Sequence, residues 1–97
     1  MRPMRLRWLR TALRSLDDEA SYIAADDPAA ARQVVRRILS SVALLTDNPA
    51  MGRPGRVAGT RELVIPKTHH IIPYRVRESE IQILRIFHTS RKPPTRW

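Results

Sequence analysis

Guanidinium groups are the chemistry this sequence carries in quantity: sixteen of its eighteen basic residues are Arg, set against nine acidic ones, for a formal net charge of +9. A planar guanidinium fork grips phosphate or carboxylate oxygens two at a time. A field of this sign favours polyanions, meaning nucleic acid or an acidic protein. A GC-rich coding sequence would enrich Arg as well, so the charge implies an anionic partner and no more. Three histidines, at 69, 70 and 88, are the groups that titrate near neutrality. His69 and His70 are adjacent, and in a strand they point to opposite sides, which disfavours chelation of one metal ion. With no cysteine there is neither a disulfide nor a thiolate ligand. No metal and no other cofactor is expected.

The elements that must position these groups follow from apolar spacing. Met4, Leu6 and Trp8 alternate with Arg5 and Arg7, the period of a half-buried strand. From Leu9 the spacing changes: Leu9, Ala12, Leu13, Leu16, Ala20 and Ile23 form the stripe of an amphipathic helix that should stop near Asp26, with Asp17, Asp18 and Glu19 largely outside it. Asp27-Pro28 is a start signal for a second helix, an acidic cap followed by a Pro whose missing N–H costs nothing there. Ala31, Val34, Val35, Ile38, Leu39, Val42 and Leu45 make its apolar face, and Arg32, Arg36 and Arg37 a solvated one or a contact surface for an anionic partner. Pro and Gly are too dense between Thr46 and Gly59 for anything but a loop. Three strands follow, over residues 61–65, 69–77 and 80–88, with Glu78-Ser79 as the tight connection between the last two. Pro73 cannot donate to a ladder, so it should sit at an edge or a bulge.

This order of strand, helix pair and strand run predicts an α+β fold: an N-terminal strand, a helical hairpin, then a three-stranded antiparallel meander, β-α-α-β-β-β. Residues 1–97 form one domain, with 89–97 as an irregular tail. The longest apolar run is far short of the ~20 residues that cross a bilayer. The Arg-rich start, with no apolar core segment, does not read as a signal peptide. The expected location is the cytoplasm, with no membrane contact.

Several strings in this order carry a family resemblance. They are Asn48-Pro49-x-x-Gly52-Arg53-Pro54, then Gly59-Thr60-Arg61-Glu62-Leu63-Val64, then Pro73-Tyr74-Arg75-Val76, and finally Ile83-Leu84-Arg85-Ile86-Phe87-His88-x-x-Arg91. Together with the helical hairpin they resemble the RelE/ParE toxins of type II toxin–antitoxin modules, over nearly the whole chain. The resemblance implies a basic toxin neutralised by a cognate acidic antitoxin whose extended or helical tail wraps the sheet and helices, in a hetero-oligomer. It also implies one of two activities. RelE-like members cut mRNA in the ribosomal A site, without metal; ParE-like members inhibit DNA gyrase and are not nucleases. A third possibility is a degenerate nucleic-acid-binding module without toxicity.

Fold does not choose among these. Cutting a phosphodiester requires a base or orienting group, cations for the developing charge and an acid for the leaving oxygen. Arg61, His70, Arg85, His88 and Arg91 lie on or at the ends of the last three strands; as an mRNA-cutting set the choice is Arg61, Arg85, His88 and Arg91. Ile71 falls where mRNA-cutting members often carry a strand arginine, and the preceding strand offers only Arg61, with Lys67 beyond it. Both departures favour the ParE-like class. In that class the resemblance implicates the C-terminal segment in toxicity, so Arg91, Lys92, Arg96 and Trp97 are the expected partner-binding residues, the exposed aromatic serving as an anchor. If the last strand is regular, His88 shares a face with Gln82, Leu84 and Ile86, and Arg85 with Ile81, Ile83 and Phe87. The two then point apart, unless a bulge near Phe87 intervenes. Structural roles compete throughout: Arg85 as an ion-pair partner of Glu62 or Glu80, Tyr74 and Trp8 as core, His88 as a strand-end hydrogen bonder.

Overall fold

A computed structural model describes residues 4–89. Strand β1 (Arg5–Trp8) leads into helix α1 (Arg10–Ala24), and helix α2 (Pro28–Ala43) runs on into a 3₁₀ turn at Leu44–Thr46. Then come β2 (Arg53–Pro54), β3 (Arg61–Val64), β4 (His70–Arg77), β5 (Glu80–Ile83) and β6 (Phe87–His88). The expected α+β architecture is present. Helix α2 begins as anticipated: the Asp27 carboxylate accepts the Ala30 N–H at 3.1 Å, and Pro28 takes the first helical position.

The strands form one sheet in the order β1-β5-β4-β3-β2, with β6 also paired to β4. The β3–β4 and β4–β5 pairs are the expected antiparallel meander, and β1 closes the other edge parallel to β5. The helices cover one face. Ala12, Ile38, Val42 and Leu45 pack there on Leu63, Ile65, Ile72, Tyr74, Ile81, Ile83 and Ile86. Leu6 and Trp8 of β1 pack against this cluster, so Tyr74 belongs to the core outright and Trp8 lies at its border. We call this the helix side of the sheet and the opposite one the far face.

Three expectations are corrected. The segment 46–59 is not all loop, because Arg53 and Pro54 pair with Glu62 and Arg61. Glu19 is not outside the apolar stripe: it is buried, and its Oε2 lies 3.0 Å from Nε2 of His70 on β4. Counted from Ala12, the steps to Leu16, Glu19 and Ile23 are four, three and four residues, which is the spacing of one helix face. The third correction concerns the last strand, which is not continuous over 80–88.

Pairing with β4 runs Tyr74↔Ile83 and then Ile71↔Phe87, so β5–β6 carries one residue more than its partner, at Leu84–Ile86. This is a β-bulge. Ile86 thereby rejoins Ile81 and Ile83 on the helix side, while Leu84 and Arg85 both line a cavity on the far face. Pro73 stands opposite the break. Its carbonyl accepts the Leu84 N–H at 3.0 Å. In an extended strand the N and O of one residue point the same way, so the donor that Pro73 lacks is missing where the ladder is interrupted.

Candidate functional site

Period-two alternation puts Arg5 and Arg7 of β1, Arg75 and Arg77 of β4 and Glu80 and Gln82 of β5 on the far face. Glu62 of β3 faces the same way, opposite Pro73. Arg53 of β2 stands in register beside Glu62, and the loop after β2 folds over this face to bring Arg56 to it. Arg53 Nη2 is 3.4 Å from Glu62 Oε1, and the backbone N–H and Nε–H of Arg56 donate to Oε2 at 3.0 and 3.2 Å. Burial alone would raise the Glu62 pKa, but the two Arg56 hydrogen bonds and the charges of Arg56 and Arg53 outweigh it and hold the carboxyl below its ordinary range. Arg56 also stacks over Phe87, 5.5 Å from the ring centroid.

Glu80 serves the other end of the sheet. Its carboxylate accepts from Gln82 at 2.8 Å and sits 3.6 and 3.7 Å from Arg5 and Arg7. The Gln82 hydrogen bond first, and the two arginines after it, lower its pKa. Arg85 is thus not the ion-pair partner of Glu62 or Glu80 that the sequence suggested; those carboxylates are matched to Arg53, Arg56, Arg5 and Arg7. Arg75 donates through Nε to Gln82 at 2.6 Å. Among the described residues, Arg75, Arg77 and Arg85 have no carboxylate within ion-pair distance.

The sequence-derived candidates are distributed as follows. Arg61 lies on the helix side, and its Nη1 donates to the carbonyls of Gly52 at 2.7 Å and Ala50 at 3.3 Å. It works there with Tyr74, whose buried hydroxyl donates to Pro49 O and accepts the Gly52 N–H, both at 2.8 Å. Burial, against the Gly52 hydrogen bond and the Arg61 charge, raises the Tyr74 pKa. Arg85 is on the far face. His88 pairs with His70 in register and so belongs to the helix side, with ring centroids 5.2 Å apart. Arg85 and His88 do point to opposite sides, but through the bulge, with Ile81 and Ile83 now beside His88 and Gln82 and Leu84 beside Arg85. His69 precedes the first residue of β4, so strand alternation does not direct it away, and its ring lies 5.3 Å from that of His88. Even so, no group of three His, Cys, Asp or Glu side chains among the described residues could hold a metal ion. Arg91, Lys92, Arg96 and Trp97 lie outside the described residues. Ile71 is 3% exposed on the far face, opposite Phe87 and Val64. No helix among the described residues is long and apolar enough to cross a membrane.

A basic sheet face backed by a helical hairpin agrees with the resemblance, and comparison with known proteins decides it. Residues 6–93 match the family model described as the ParE toxin of type II toxin–antitoxin systems, parDE. The chain belongs to this ParE toxin family. A curated relative, named "Putative toxin Y4kP", from Sinorhizobium fredii (strain NBRC 101917 / NGR234), is 47% identical over 90 residues, covering 93% of each chain. Among solved structures, the chromosomal ParDE system of P. aeruginosa aligns with a TM-score of 0.78 and 36% identity over 88% of this chain and 95% of that one. The toxin–antitoxin complex RelBE2 of Mycobacterium tuberculosis aligns with a TM-score of 0.58 and 24% identity over 89% and 98%, a likeness of fold alone. This ParE-family chain is therefore the toxin of a toxin–antitoxin pair, with a cognate antitoxin as partner. Sequence reasoning passed over Arg75 and Arg77 as site residues, although their i, i+2 spacing placed them together. It also missed the Glu19–His70 contact, for which the 12-16-19-23 spacing was the available signal.

Proposed function

We propose that this toxin inhibits DNA gyrase by protein contact and performs no RNA cleavage of its own. The observation carrying the reading is the dispersal of the groups that a metal-free nuclease must bring together. Arg61 is occupied by two backbone carbonyls on the helix side, Arg85 faces the other way, and a buried Ile71 fills the far-face position where a phosphate-gripping arginine would stand. The family match, and the 36% identity to a chain of a chromosomal ParDE system, support the same side of the choice.

In the inactive complex we place the acidic antitoxin along the helical hairpin. A shallow groove of about 510 Å³ there, lined by Ala20, Ala24, Pro28, Ala31 and Val35, has Arg32 and Arg36 on its rim. Small side chains let a helix approach closely, and the two arginines match its acidic flank.

The test is expression of the toxin without its antitoxin, with supercoiling by purified gyrase assayed in parallel. Gyrase inhibition, with relaxed DNA, double-strand breaks and an SOS response, is the expected result. Transcripts cut on translating ribosomes with gyrase unaffected would overturn the reading in favour of the RelE-like alternative, and growth without either effect would favour the degenerate module. The H88A variant should remain toxic, since His88 enters only the cleavage reading. Truncation before Lys92 should weaken gyrase inhibition if the tail makes the contact.

A further inference from the structure

At the bulge the far face opens into a cavity of about 450 Å³, with Arg75, Arg77 and Arg85 on its wall, Thr60 at its lip and Val57 and Leu84 as apolar lining. We propose that this cavity is a phosphate site, taking the phosphate group of a nucleotide, either free or within a strand. It requires neither gyrase nor ribosome as the toxin's target, so it stands apart from the function proposed above.

Charge accounting carries the inference first. Elsewhere on this face every carboxylate is shared by two arginines: Glu62 by Arg53 and Arg56, Glu80 by Arg5 and Arg7. The cavity gathers three further guanidinium groups, has no acidic residue in its lining, and leaves all three without a carboxylate partner among the described residues. Three cations within one pocket exceed what a single carboxylate neutralises. A phosphate monoester brings close to two negative charges and three terminal oxygens, which suits several bidentate forks.

The second observation is independent of the count. Nε of Arg85 is buried and has no hydrogen-bond partner among the described residues. A buried N–H left unpaired is destabilising, and such groups mark an absent ligand often enough to require an explanation. The bulge aims this side chain: a regular strand would send Arg85 to the side opposite Leu84, whereas the extra residue puts both into the same cavity. Arg75 is already fixed, because Gln82 holds its Nε at 2.6 Å and is itself anchored on Glu80 at 2.8 Å, leaving the terminal nitrogens of Arg75 for a ligand. Preorganisation of this kind lowers the ordering cost of binding. Val57 and Leu84 then offer an apolar surface to the sugar or base beside the phosphate.

The experiment is titration of the purified full-length toxin, by calorimetry and by amide chemical shifts, with inorganic phosphate, adenosine 5′-monophosphate, a short single-stranded oligonucleotide, and succinate as a carboxylate control. Phosphate-bearing probes should bind and shift amides around Thr60, Arg75 and Leu84, and succinate should bind about tenfold more weakly or not at all. R85Q, and separately R77Q (a change at an exposed side chain that the fold does not need), should each weaken binding at least about tenfold. R32Q/R36Q on α2 removes the same charge or more and should leave it within about twofold. Binding of the mononucleotide identifies a free-nucleotide site; binding of the oligonucleotide alone, lost in the same variants, identifies a strand phosphate. Equal loss in the α2 control, equal affinity for succinate, or no phosphate-dependent shift in the cavity would overturn the proposal.

Discussion

At the scale of single residues, two polar side chains in the second half of the chain fasten β2 and its flanks: Tyr74 the segment before it, Glu62 the strand and the loop after it. Tyr74 stands in the central strand with no exposed surface and clasps Pro49 O and the Gly52 N–H with one hydroxyl. Gly52 has no room for a side chain, since a Cβ would come within 2.6 Å of Cε1 of Tyr74 and 3.0 Å of Glu62 O. Y74F should therefore cost about 1–3 kcal/mol, because it strands a buried donor and a carbonyl together, and urea denaturation measures it. No loss of stability would mean that the clasp is dispensable. Glu62 behaves differently because it is charged. Its folded pKa lies below its ordinary 4.5, so its contribution is fully present above that pH and is lost as pH falls through the folded value. E62Q should lower stability at pH 7 by about 1–2 kcal/mol, the partner arginines being partly solvated, and should flatten the acid limb of the stability–pH curve. Parallel acid limbs for E62Q and wild type would exclude Glu62 as the source.

At the scale of elements, the helices and the order of elements along the chain were legible because each is set by local pattern, whereas the parallel pairing of β1 with β5 was not. The period-two start, the 3-and-4 stripes and the Asp27-Pro28 cap depend on residues within a turn of each other. The bulge was only partly legible: Pro73 called for an edge or a bulge and one near Phe87 was allowed, but Ile81, Ile83, Leu84 and Ile86 are all apolar and admit either register, so only the pairing places it. For the same reason the basic face was half visible. Arg5/Arg7 and Arg75/Arg77 announce it by alternation, while the placing of Arg85 depends on one inserted residue. The Glu19–His70 contact joins α1 to β4 across a sequence distance of 51 residues; the helix spacing could put Glu19 on the buried face, but no local pattern names its partner. Because both side chains are buried, E19A should destabilise by about 1–3 kcal/mol, and E19Q, which keeps a hydrogen bond, by less. A double-mutant cycle with H70A should return a coupling above about 0.5 kcal/mol. Additive single effects would show that the two residues are held independently, and that α1 docks through Ala12 and its apolar neighbours alone.

At the scale of the whole molecule, the +9 charge is not spread evenly in its effect. The far face neutralises part of its own field through Glu62 and Glu80, whereas Arg32 and Arg36 beside the hairpin groove have no such ion pair among the described residues. On the docking proposed above, an acidic antitoxin is steered from solution by the total field and then seats in the groove, so the two stages of binding should respond differently to salt. Exposed charges farther apart than the Debye length, about 10 Å at 0.1 M, are screened, so the association rate should fall steeply with added salt. The dissociation rate, governed by buried apolar contact, should change little. R32Q/R36Q should slow association and reduce its salt slope, with a smaller effect on dissociation, as stopped-flow mixing of the two purified proteins would measure. A salt-independent association rate, or an effect of those substitutions confined to dissociation, would mean that the hairpin arginines are buried contacts of the complex and not its steering charges.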